Sequence, residues 1–504
     1  MGTRKILPWV AATSTLLVAL HPGTAWLVQL PVRGIAVALT GGLEANRQRV
    51  AAQKPQNATL ALAAAGNDLN RVQSLVSRFP GSPDIRAVAV RLATVEGRGI
   101  RLPKPDKAGT AEPGKFYASG AQALIDNAVA GAKLDPDNAF FPAMKAVALL
   151  TQRQDTAAWD SLREAARKSH YNDYTAASLR GKLQLTEQAQ GRTPITPAIA
   201  LIAAELYPHY APLRNMTFWA QERAIALEKT GHTEEGMAMR QDILNLGHLM
   251  RRDSTTIIGS LVGEALCAIA TNRPNGIRVP EIKEFLKTGA SEETAREQRD
   301  AQIAENWKAW AVKAGHPELA EVATENQQQF AQAKVQRGRV IEDSFVSVNT
   351  VVSEALLLFL VAWLFYSFVM TIVGTLRKNG ASVALPIHPM RLVASAMVIE
   401  TIGVALTLLA SSKSSLNLGW AAISFLVLGM MFPDIHMAVI ARRTGVLYKK
   451  LAPTVRRSVY PVLASLLLIL WAALMLGVGK QENQWRTRLD AYITQENAPN
   501  TPDV

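Results

Sequence analysis

Two regimes of hydropathy divide the chain. From residue 45 to 336 apolar positions recur at helical spacing, Ala, Leu, Arg, Glu and Gln dominate, and no run alternates with period two, so this region predicts amphipathic helices and no sheet. Behind it stand four long apolar stretches, 351–374, 392–410, 418–441 and 459–478, each 19 to 24 residues long. A helix rising about 1.5 Å per residue needs about 20 such residues to cross a hydrocarbon core of ~30 Å. The pattern predicts an all-α chain, an extended array of soluble helices followed by a four-helix transmembrane bundle over 346–480 and a polar tail over 481–504.

Turn signals cut the soluble region at short intervals: Gly66-Asn67-Asp68, Phe79-Pro80-Gly81-Ser82-Pro83, Asp135-Pro136-Asp137-Asn138, Gly231-His232 and Gly315-His316-Pro317. Each places Gly past a helix end or Pro and Asp near a start. The elements between them have the size of helices in paired repeats. Residues 57–92 resemble two helices of a tetratricopeptide unit leading into a third. Residues 133–168 are similar to that family again, with Asp155, Ala158, Leu162 and Ala165 on the packing face of the second helix. Further likenesses run over 218–246, around Gly231-His232-Thr233-Glu234-Glu235, and over 307–330, around Gly315-His316-Pro317-Glu318. The resemblance implies a helical-hairpin solenoid over 41–345 with a concave surface that binds a partner protein. No unit carries the family's full signature, so no peptide-clamping residue is carried over. The Pro-containing segment 98–114 predicts an exposed loop, and 191–197 a second break in the array.

Charge sets the orientation. The net charge is +13, but from residue 346 onward there are 13 Lys and Arg against 7 Asp and Glu, leaving a nearly balanced 41 against 34 before it. Nine of the later cations fill two loops that contain no acid: Arg377, Lys378 and Arg391, then Arg442, Arg443, Lys449, Lys450, Arg456 and Arg457. Loops of this kind stay on the cytoplasmic side. The expectation is an integral protein of the plasma or inner membrane, with the large N-terminal domain and the C-terminal tail both extracytoplasmic. The excess charge is thereby explained by the lipid bilayer, and no nucleic-acid partner is expected. Residues 1–40 agree: Arg4 and Lys5 precede an apolar run, and Gly23-Thr24-Ala25 offers small residues for cleavage. The segment reads as a signal peptide or, uncleaved, as a signal anchor that makes a fifth span.

Candidate chemistry is sparse. Cys267 is the sole cysteine, which excludes an intramolecular disulfide and a cysteine-based zinc site. The eight histidines are scattered, and most read as surface or turn residues. Residues Gly109 to Phe116 follow a P-loop pattern up to Phe116, which stands where a hydroxyl must reach magnesium. No catalytic motif and no cofactor site emerge, and the chain is not read as an enzyme. Gly259-Ser260-Leu261-Val262-Gly263 predicts a close helix crossing. The sharper candidates lie in the spans: Glu400 is about 13 Å beyond Arg391 and Asp434 about 12 Å before Arg442 at helical rise, with His436 beside the latter. Two carboxyls at matching depth, with a titratable ring nearby, suit a proton- or ion-coupled path, the alternative to a partner-binding scaffold.

Overall fold

The computed structural model describes residues 42–95, 100–105, 118–190, 207–328, 388–399 and 416–466, apart from single positions within them and a few isolated residues besides. Among the described residues there are helices and turns and no strand; one isolated bridge joins Asn138 to His170. The described helices fall into two compact units.

The first unit opens with α1 (Gly42–Ala52), α2 (Ala58–Ala65), α3 (Leu69–Arg78) and α4 (Pro83–Leu92), and continues with α5 (Ala121–Leu134), α6 (Phe140–Thr151), α7 (Asp155–Ala166) and α8 (Thr175–Gln190). It is completed by α9 (Tyr210–Lys229), α10 (Thr233–Asp253), α11 (Ile257–Thr271), α12 (Ile282–Leu286) and α13 (Glu292–Lys313). From α1 to α7 each helix packs on the next, as α9 does on α10, α10 on α11 and α12 on α13, and α9 reaches α11 and α6 while α10 reaches α7, the connectivity of stacked helical hairpins. The predicted turns lie where the pattern puts them. Asn57, Asp68, Thr256 and Ser291 each accept a backbone N–H of the first turn they precede, and Gly66, Gly231 and Gly315 take the left-handed conformation just past a helix end.

One core runs through the array from Ala87 to Ala270, with Phe140, Phe141 and Met144 fully enclosed. The expected crossing at the glycine-rich run is present and tight. A Cβ on Gly263 would lie 2.6 Å from the Arg251 nitrogen and 2.7 Å from the Gly247 oxygen, so α10 and α11 meet backbone to backbone. One expectation is corrected: part of the Pro-containing segment is not an exposed loop. Residues 100–105 lie against α9 with Ile100 and Leu102 buried, because two aliphatic side chains in that polar stretch find the core of the array. The break at 191–197 lies outside the described residues.

The second unit holds α14 (Leu416–Thr444) packed on α15 (Tyr448–Ser458), joined by a turn at Gly445. Among the described residues no helix is long and apolar enough to cross a membrane. Most of 351–374, 392–410 and 459–478, and nearly all side chains of 416–430, lie outside them. What the fold shows is an all-α chain of packed helix pairs.

Candidate functional site

A cleft of about 1310 Å³ opens beside α11 and α13 in the first unit. Its floor is apolar, from Leu261, Ala265 and Ala268, which the i, i+4, i+7 spacing sets on one face of α11. One wall carries Lys104, Arg214 and Arg251. Among the described residues none of these three has an ion-pair partner; Lys104 stands 3.8 Å above the Phe218 ring. The opposite wall is the first half of α13, with Glu292, Glu293 and Glu297 exposed to the cleft. Burial raises the carboxyl of Asp300 on that wall above its ordinary value, against the pull of Arg299 and Arg296.

The basic wall is built by α9, the last turn of α10, which carries Arg251, and the strap that α9 holds. Asn215 Nδ2 donates to the Leu102 carbonyl at 2.8 Å and Trp219 Nε1 to the Pro103 carbonyl at 2.8 Å. Asn215, Phe218 and Trp219 share one face of α9, so three side chains grip consecutive strap residues and deliver Lys104 to the cleft mouth.

The floor and acidic wall hang on one guanidinium. Arg240 is fully enclosed and places all five N–H donors: Nε on Glu228 Oε1 at 2.5 Å, Nη2 on Glu228 Oε2 at 3.1 Å and on the Arg273 carbonyl at 3.1 Å, and Nη1 on the carbonyls of Ala270 at 2.5 Å and Asn272 at 3.0 Å. It thereby caps the C-terminal end of α11, where a cation opposes the helix dipole. The same guanidinium lies 5.9 and 5.4 Å from the Trp307 and Trp310 rings of α13. Cys267 is buried at the edge of the floor, and burial pushes its thiol up to about 12.

A second polar group lies in the core, away from the cleft lining. Tyr210 Oη donates to Asp173 Oδ2 at 2.8 Å, His209 Nε2 lies 3.0 Å from the same oxygen, and Arg91 Nη1 donates to Thr175 Oγ1 at 2.7 Å. Burial pushes the Asp173 carboxyl up, but the His209 hydrogen bond and charge, Arg91 and Tyr210 together hold it well below the usual carboxylate range. His209 is an exception among the histidines, completely enclosed because an aspartate 36 positions earlier partners it. The group ties together α4, the start of α8 and the start of α9.

In the second unit Asp434 meets α15 and the residues after it, taking a hydrogen bond from Tyr460 Oη at 2.6 Å and lying 3.9 Å from Arg456 Nε. His436 is two positions on, its ring 5.1 Å from that of Phe432. Glu400 lies outside the described residues. Of the basic-loop residues, Arg391, Arg442 and Arg443 are exposed, Arg456 and Arg457 are half-buried, the side chains of Lys449 and Lys450 are not described, and Arg377 and Lys378 lie outside the described residues. The pairing of Asp434 with Arg456 escaped the sequence reading, which counted Arg456 only as a topogenic charge. No group of His, Cys, Asp or Glu among the described residues is placed to hold a metal ion. No protein-family model, no curated protein and no solved structure matches the chain.

Proposed function

We propose that this chain is a membrane-anchored binding protein whose tetratricopeptide-like array takes a segment of a partner protein into the cleft between α11 and α13. The cleft carries the reading. At about 1310 Å³ it exceeds the range of about 300–1,000 Å³ usual for small-molecule pockets, and its apolar floor between a basic wall and an α13 wall where Arg296 and Arg299 stand among Glu292, Glu293, Glu297 and Asp300 suits a polypeptide segment with apolar residues inward and polar ones on both flanks. The stacked hairpins behind it supply a rigid scaffold. The anchor, four spans with the array outside the cytoplasm, is supported by the apolar stretches and the acid-free basic loops. The partner Arg456 gives Asp434 a structural role, which favours binding over ion translocation.

The test is position-dependent photocrosslinking in intact cells. A photoreactive residue at position 261, on the cleft floor, should give one discrete adduct that disappears when Arg214 and Arg251 are both changed to Glu. The same residue at position 129, exposed on α5, should give none. Equal adduct patterns from both positions, or an adduct untouched by the charge reversal, would remove the cleft from the function.

A further inference from the structure

The outward face of α14 is apolar and uncovered. Leu428, Met431, Ile435 and Val439 are 42, 43, 41 and 47% exposed, and their spacing of three, four and four residues puts them in one stripe about 16 Å long at helical rise. On the other side Pro433, Met437 and Ala441 are buried. A water-facing helix does not carry four large aliphatic side chains in one row. The stripe continues, at the next turn, into Arg442 and Arg443, both exposed, and beyond the turn at Gly445 stands Leu447 at 68% exposure. Among the described residues neither arginine pairs with a carboxylate. Arg456 differs: it is turned in to Asp434, both side chains being 16% exposed. The geometry therefore sorts the basic loop into an inward cation that holds helices together and outward cations that continue an apolar stripe.

We propose that this face is an anionic-phospholipid site, with acyl chains along Leu428 to Val439 and the headgroup phosphate on Arg442 and Arg443. The inference rests on the membrane reading given above and adds to it a selectivity for lipid charge. An apolar stripe capped by unpaired cations complements an anionic amphiphile at both ends, whereas a second copy of the chain laid on the stripe would bring like charges together.

The full chain, purified in mild detergent, is reconstituted into phosphatidylcholine vesicles containing a minor fraction of phosphatidylglycerol, and spin-labelled forms of both lipids are compared by electron spin resonance. The labelled phosphatidylglycerol should be immobilised with roughly three- to ten-fold preference, falling with added salt. The preference should drop toward unity in R442Q/R443Q and persist in K413Q, which changes the loop expected on the opposite side. Equal immobilisation of the two labels by an incorporated wild-type chain would overturn the proposal, as would preference retained in R442Q/R443Q, or its loss to millimolar inorganic phosphate at constant ionic strength, which would mark a free-phosphate site. Cysteines at positions 431 and 435 that crosslink one chain to another in the vesicles would overturn it in favour of self-association. Failure of the chain to enter vesicles of either composition would instead refute the membrane reading itself.

Discussion

Changing Arg240 to Met should loosen both sides of the cleft at once. The substitution keeps the aliphatic stem that packs near Trp307 and Trp310 and removes five hydrogen bonds. Asn272 keeps a partner, since Gln221 Nε2 also donates to its carbonyl at 2.8 Å. The carbonyls of Ala270 and Arg273 lose the guanidinium, and the carboxylate of Glu228, a residue 6% exposed, is left with the Asn275 N–H at 2.6 Å. Removing one member of a buried pair costs about 3–5 kcal/mol, most of it the price of the stranded charge. The expected loss is about 4 kcal/mol, roughly a thousand-fold in the local opening equilibrium. Hydrogen exchange of the full chain in detergent reads this directly, through the amides of residues 270–276, which include Asn272, Asn275 and Gly276, all hydrogen-bonded in the fold. The double variant R240M/E228M, which removes the stranded charge as well, should exchange more slowly than R240M alone. An increase of less than about tenfold in R240M, under about 1.4 kcal/mol, would show that the guanidinium is dispensable and that the cleft walls are held by packing.

Other outcomes follow from the same geometry. Gly263→Ala forces a methyl to within 2.7 Å of the Gly247 oxygen, so α10 and α11 must part; a loss of about 1–3 kcal/mol should appear as a lowered thermal midpoint, and an unchanged midpoint would contradict the close crossing. Trp219→Phe with Asn215→Ala frees the strap carbonyls, and tryptic cleavage after the exposed Arg101 should accelerate several-fold; unchanged cleavage would mean that Ile100 and Leu102 hold the strap unaided. The clasp between His170 and Asp135 should depend on pH. The hydrogen bond and charge of Asp135 raise His170 above its ordinary 6.5, so that contribution is complete below 6.5 and is lost as pH rises through the raised value. For Asp135 burial raises the carboxyl, but His170, Tyr174 and Asn138 outweigh it and lower the pKa, so its contribution is present above its ordinary 3.8 and is lost as pH falls through the lowered value. The protection factors of the Ser169 and His170 amides, which donate to the Asp137 carbonyl, should therefore fall as pH rises above 6.5 in the native chain and show no such fall in His170→Gln.

Much of the array was legible because its signals are local. Asn57, Asp68, Gly66, Gly231 and the Asp135-Pro136 turn act on residues within four positions of themselves, and helical periodicity needs only one turn of neighbours. The glycine-rich run in α11 was readable for a related reason, since only a near backbone calls for so many missing side chains. The hubs were not. Arg240 draws its acceptors from α9 and from the end of α11 and the turn after it, thirty or more positions later, and Asp173 finds His209 thirty-six positions on, beyond α8. The strap hid for the same reason, its prolines announcing a loop while its docking depended on the distant Asn215 and Trp219. In the second unit, counting depth along a span set Asp434 level with Glu400 but could not show that Arg456 would reach it.

If the array lies outside the cytoplasm, as proposed, the single thiol has a consequence for its exposure to oxidants. The Cys267 side chain is enclosed and burial raises its thiol well above its ordinary value, so little of it ionises at neutral pH, and thiolate is the form that attacks disulfides or takes up maleimides. Once α10 and α11 have closed, the enclosed thiol is kept from exchange with thiols around it. Covalent dimers linked through sulfur would therefore report chains that failed to fold.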